Sequence, residues 1–131
     1  MLDEHAIVCA DDRGVIRLWS AGAEAMFGYP APAAIGRSLD LIIPAEYRIY
    51  HWTAFFAAVA SGVNHYERKV FADPIVHADG SVVHHRGRFT LLKDAEARVV
   101  GVVSIWDPPR PDDQTRRGPT VVSEDPVTSL G

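Results

Sequence analysis

The stretch AIVCADDRGVIRLWSAGAEAMFGY, residues 6–29, decides the fold. Its first half is two short runs of branched and apolar residues on either side of Asp11, Asp12, Arg13 and Gly14. Asp side chains bond their own backbone, and Gly takes positive φ without steric cost, so this break predicts a β-hairpin. Ser20 follows at once as an N-cap for the short helix AGAEAMFG, with Gly28 as its stop.

Working outward, residues 29–44 hold prolines and glycines around a turn or so of helix. Pro44 then suits the first turn of a longer helix that ends at Ser61 and Gly62, because its missing N–H has no helical partner there anyway. Three further strands are predicted in YERKVFAD (66–73), SVVHHRGRFTLL (81–92) and RVVGVVSIW (98–106), separated by the polar turns HADG and KDAEA. Strands before and after a helical block, joined partly by hairpins, imply an α+β domain with a five-stranded antiparallel sheet and helices on one face. Past Trp106 the chain gathers proline and charge without apolar periodicity. Residues 1–107 are therefore expected to fold, and 108–131 to form a disordered polar tail.

A chain of 131 residues suits one domain. Its net charge of -4 gives no electrostatic reason to bind nucleic acid or an anionic bilayer, and no long apolar run suggests a membrane span. The single cysteine, Cys9, excludes an internal disulfide and a multi-thiolate zinc site, reads as core, and fits a cytoplasmic setting. No H-E-x-x-H, G-x-S-x-G or glycine-rich phosphate loop occurs, and Glu46, Glu67 and Asp73 lie on separate elements. The expectation is a protein that is not an enzyme.

The longer helix carries one imidazole. At about 100° per residue, Tyr47, His51, Ala54, Phe55 and Ala58 share a stripe, while Ile49, Trp52, Phe56 and Val59 lie on another side. A haem needs an imidazole nitrogen and flat apolar walls, which Tyr47, Phe55 and their neighbours can supply around His51; the same spacing also suits a histidine bonded to a carbonyl or water. On the strand 81–92, period-two alternation puts Val83, His85, Gly87, Phe89 and Leu91 on one face and His84, Arg86 and Arg88 on the other. His85 therefore points inward, either as a distal donor or sixth iron ligand, or as a satisfied core histidine. Gly87 beside it leaves room for a ligand or marks a bulge. Trp19 and Trp106 fill a core or frame a ring.

The hairpin around D-x-x-G, the following W-S-x-x-A-E-x-x-F-G-Y, then I-G-R-x-L and L-I-I-P, and the D-G before the fourth strand together resemble the PAS domain family over residues 1–107. The segment IIPAEYRIYHWTAFFAAVASG is similar to the proximal helix of bacterial haem-PAS oxygen sensors of the rhizobial type. That resemblance implies a sensory domain binding haem b, with His51 as the axial iron ligand. Phe55, Phe71, Phe89 and Leu91 would be walls, His85 would lie on the distal side, and a diatomic gas (O2, CO or NO) or the redox state would be the signal. The alternative is an interaction or metabolite-binding module without haem. Phe71 stands twenty positions after His51, where the haem sensors can carry an oxygen-stabilising arginine, so that donor is absent. The light-sensing flavin class needs a cysteine on the short-helix segment, whereas Cys9 lies on the first strand, which leaves only a non-covalent flavin. The family also implies a homodimer and a signalling partner. Pro108 and Pro109 forbid the usual continuous exit helix.

Overall fold

The computed structural model describes residues 4–65 and 67–124. Six antiparallel strands form one sheet: β1 Ala6–Asp11, β2 Ile16–Trp19, β3 Lys69–Val76, β4 Val82–Lys93, β5 Val99–Trp106 and β6 Thr120–Glu124, in the order β2-β1-β5-β4-β3-β6. Between β2 and β3 come α1 Ala21–Phe27, α2 Ala31–Ala34, two short 3-10 segments (Leu39–Ile42 and Ala45–Tyr47), and α3 Arg48–Ser61.

The opening hairpin forms for the expected reason. Asp11 Oδ1 accepts from the N–H groups of Arg13 (2.9 Å) and Val15 (3.0 Å), and Gly14 takes φ 83°. Ser20 Oγ accepts from Ala23 N at 3.1 Å and also from Ile7 N at 2.9 Å, so one hydroxyl caps α1 and ties it to β1. Gly28 closes α1 in the left-handed region at φ 91°.

Helices lie on the face of the sheet that carries Ala6, Val8, Ile75 and Trp106, and these pack with Trp19, Phe27, Ala34 and Ile42 in one core. Trp19 and Trp106 are core: Trp19 Nε1 donates to the Tyr29 carbonyl and Trp106 Nε1 to Ser104 Oγ. Cys9, between Val8 and Ala10, alternates away from that face and is only half-buried, not core as expected.

Three features correct the sequence expectation. The long helix begins at Arg48, because residues 45–47 wind as a 3-10 turn after Pro44. β3 continues through Pro74. The segment expected to be a disordered tail packs on the sheet as far as Glu124, which makes the sheet six-stranded instead of five-stranded; residues 125–131 of that expectation lie outside the described residues.

This tail is held by side chains. Asp113, fully buried, takes a bidentate pair from Arg86 (Nε 2.8 Å, Nη2 3.0 Å) and a third bond from Arg116 Nε at 3.0 Å. Gln114 accepts from His84 N and donates to His84 O, both at 2.9 Å, and so replaces a neighbouring strand where β5 has ended. Since His84 directs both backbone groups toward Gln114, its cross-strand partner Pro74 turns its nitrogen to the opposite edge, toward β6. Proline has no hydrogen to give there, and the β3–β6 ladder stops at Ala72↔Thr120.

Candidate functional site

Helix α3 is lightly seated. Of its fourteen residues only Phe55 is buried, and Ile49 is 85% exposed. What fixes it is Trp52, whose indole lies over Gly14 of the hairpin turn and whose Nε1 donates to Asp40 Oδ1 at 2.7 Å. A side chain at position 14 would collide with that ring, so the glycine serves close approach as well as positive φ.

His51 lies against Trp52 (centroids 4.7 Å) and Phe55 (5.7 Å). Its Nδ1 is buried and has no hydrogen-bond partner. Burial pushes its pKa down to about 4, against a smaller opposing pull from Asp40, so the ring is neutral at physiological pH with a lone pair available.

The helix-covered face of β3 and β4 presents Phe71, Asp73 and Ile75 on one strand and His85, Gly87, Phe89 and Leu91 on the other; Phe71 pairs with Gly87, and Asp73 with His85. Phe71 packs on Phe89 (5.6 Å) and Phe89 on Trp106 (5.4 Å), so the three rings form a connected aromatic surface. Leu91 continues it, half-buried.

His85 points inward as the alternation required and has no exposed surface. Both of its nitrogens are engaged. Nδ1 bonds the Asp107 carbonyl at 2.9 Å, which makes it the protonated nitrogen; Nε2 faces His77 Nε2 at 2.8 Å and must accept from it. Burial pushes the His85 pKa down to about 4, keeping the pair neutral, and the Phe27 ring meets it edge-on. This is a satisfied core histidine, and the distal role expected for it is corrected. The space beside Gly87 is likewise taken: the indole of Trp106, its cross-strand partner, lies where a Cβ would be. Tyr47 is corrected too. Its hydroxyl donates to the Arg117 carbonyl at 2.7 Å and its ring rests against Gly118, so it braces the tail instead of lining a pocket.

Sequence reasoning counted Asp73 as one of several scattered acids. In the structure it sits between buried Phe71 and Ile75, its Oδ1 is buried with no hydrogen-bond partner, and burial pushes its pKa up to about 7. The alternation that located His85 would have located Asp73 as well. His77 was also missed as the partner of His85. Beside that pair opens a cleft of about 350 Å³ lined by Glu4, Met26, Pro108 and Pro109. Among the described residues, no three His, Cys, Asp or Glu side chains gather to hold a metal ion, and no helix is long and apolar enough to cross a membrane.

Known proteins agree with this architecture. An uncharacterized protein of Azorhizobium caulinodans is 39% identical over 85 residues, which are 63% of this chain and 12% of that protein, so the chain corresponds to a small part of that relative. The PAS domain of a Colwellia psychrerythraea protein superposes with a TM-score of 0.67 at 22% identity, over 79% of this chain and 85% of that one. An RNA-binding light-oxygen-voltage receptor gives 0.65 at 17%, over 79% and 29%, and the PAS domain of Cronobacter turicensis RpfR, in complex with C12:0, gives 0.62 at 16%, over 79% and 93%. The model of the PAS fold matches residues 4–108, the whole span from the opening hairpin to the end of β5. With that span, the antiparallel sheet and the helical layer on one face of it, the chain belongs to the PAS family.

Proposed function

We propose that this PAS domain is a sensory module whose input is a small molecule held between α3 and the helix-covered face of the sheet. The observation that carries the reading is that two buried polar atoms on this side of the sheet, His51 Nδ1 and Asp73 Oδ1, have no hydrogen-bond partner, each with aromatic or aliphatic neighbours. Buried polar groups are normally bonded, and an unmet one costs roughly 1–3 kcal/mol, so a ligand that meets it gains that free energy back. The lightly seated α3 is the wall that can yield, since an element with one buried side chain opens at low free energy. That a PAS fold can hold a ligand is illustrated by the RpfR PAS domain in complex with C12:0. Hydrogen exchange along α3, with and without the small-molecule fraction of a bacterial extract, tests the reading: protection of α3 should rise. Identical exchange in both samples would sink it.

Haem b is the second reading, favoured by His51 alone. A neutral, half-buried imidazole with a buried, unpartnered nitrogen suits an axial ligand, and a bound haem would supply an iron addressable by a diatomic gas or by electron transfer. The rest of the arrangement does not fit the macrocycle: His85 is bonded at both nitrogens and Trp106 fills the space beside Gly87. Haemin added to the purified chain should give a sharp Soret band that His51→Ala weakens or shifts if this reading holds; an unaltered free-haemin spectrum rejects it. The homodimer belongs to the same proposal, through the exposed Ile49, Tyr50 and Phe56 of α3, and sedimentation velocity reads it directly.

A further inference from the structure

Resting on the ligand-sensing reading above, we infer that Asp73 is the specificity anchor of the site, and that the ligand class it selects is a small amphipathic amine, its ammonium on the carboxyl and its apolar body on Phe71, Ile75 and Phe89. Asp73 stands on the inner face of β3 in register with His85 of β4, between two buried apolar neighbours. His85 is the side chain placed to donate to it across the strands, and it does not, because its Nδ1 proton goes to Asp107 O and its Nε2 accepts from His77. No hydrogen bond reaches Asp73 Oδ1. A carboxyl in such a place is an acceptor awaiting a donor from outside the chain.

The donor that answers it best is cationic. A charge-assisted N–H···O bond is about twice as strong as a neutral one and offsets the desolvation of both ions, whereas a hydroxyl would leave a buried carboxylate still uncompensated. Burial alone pushes the Asp73 pKa up to about 7, and an ammonium beside it would restore the ionised form. An anionic ligand would meet the carboxyl as a like charge and is excluded by the same geometry. Aromatic Phe71 and Phe89, 5.6 Å apart, suit a flat or short-chain body at the other end.

Three probes that share a phenylethyl body test this on the full chain by two-dimensional amide NMR: 2-phenylethylamine, 2-phenylethanol and 3-phenylpropionate. The amine should shift the amides of residues 71–75 and 85–89, binding about tenfold or more tighter than the alcohol, with the acid not binding. Asp73→Asn keeps shape and removes the charge, so the variant should fold and bind the amine no more tightly than the alcohol. Equal binding of amine and alcohol by the unaltered chain, undiminished amine binding by Asp73→Asn, or no shift with any probe overturns the inference. Should the probes fail while α3 is still protected by the extract fraction, the amine falls and ligand sensing stands.

Discussion

Replacing Asp113 by Asn should release the tail from the sheet. The carboxyl is held at about 2 by the Arg86 bonds first and those of Arg116 next, against 3.8 for a free aspartate. A difference of nearly two pH units corresponds to roughly 2 kcal/mol, at about 1.4 kcal/mol per unit. Arg86 and Arg116 stay 18% and 31% exposed, so solvent screens part of this, and about 1–2 kcal/mol is the figure to carry forward. That is about a 5- to 30-fold rise in the equilibrium for opening residues 110–124, with little effect on the core. The sign with pH follows from a depressed carboxylate: its contribution is complete above about pH 4 and is lost as pH falls through about 2. Hydrogen exchange of the β6 amides, expressed as protection factors, measures it. At pH 7 the variant should lose protection by that factor, and near pH 2 the two proteins should converge. Equal protection at pH 7, or a difference that does not shrink in acid, would falsify the clasp.

Gly87→Ala should destabilise the domain by about 1–3 kcal/mol, read as a lower denaturation midpoint and altered tryptophan fluorescence, because the new methyl enters the Trp106 indole. Asp73 carries a raised pKa, so the unliganded domain should lose stability as pH rises from about 4 to about 7, by on the order of 4 kcal/mol; Asp73→Asn should abolish this slope in denaturant melts, and a retained slope refutes the assignment. His51 carries a depressed pKa, so it favours the folded state above its ordinary value of 6.5 and withdraws that support as pH falls toward about 4. His51→Leu should therefore flatten the acid limb of the stability curve, and urea titrations at pH 7 and 4.5 give the comparison.

How much of this could be read from the letters depends on the range of the interactions. The hairpin, the Ser20 cap and the Gly28 stop were legible because Asp11, Ser20 and Gly28 act on groups a few residues away. The inward direction of His85 followed from period two alone. The bonding of His85 did not, since His77 and Asp107 meet it only after the sheet has closed. The sixth strand was hidden for a similar reason: residues 108–124 look unable to offset their ordering entropy, and what orders them is a carboxylate 27 positions from Arg86 and a carboxamide 30 from His84. Tyr47 has the spacing of a pocket wall, yet a 3-10 turn ahead of α3 carries it to a carbonyl 70 residues away.

Pro74 has a meaning for the life of the protein in a crowded cell. Strand margins with unmet amides invite a second polypeptide to join, and repeated joining is how fibrils lengthen. At this margin the first positions are already filled by the chain's own β6, and the next offers a ring carbon in place of a hydrogen. A polypeptide approaching β3 beyond Ala72 could not extend the ladder there, so the residue that halts β6 also blunts the part of the β3 margin that β6 leaves uncovered.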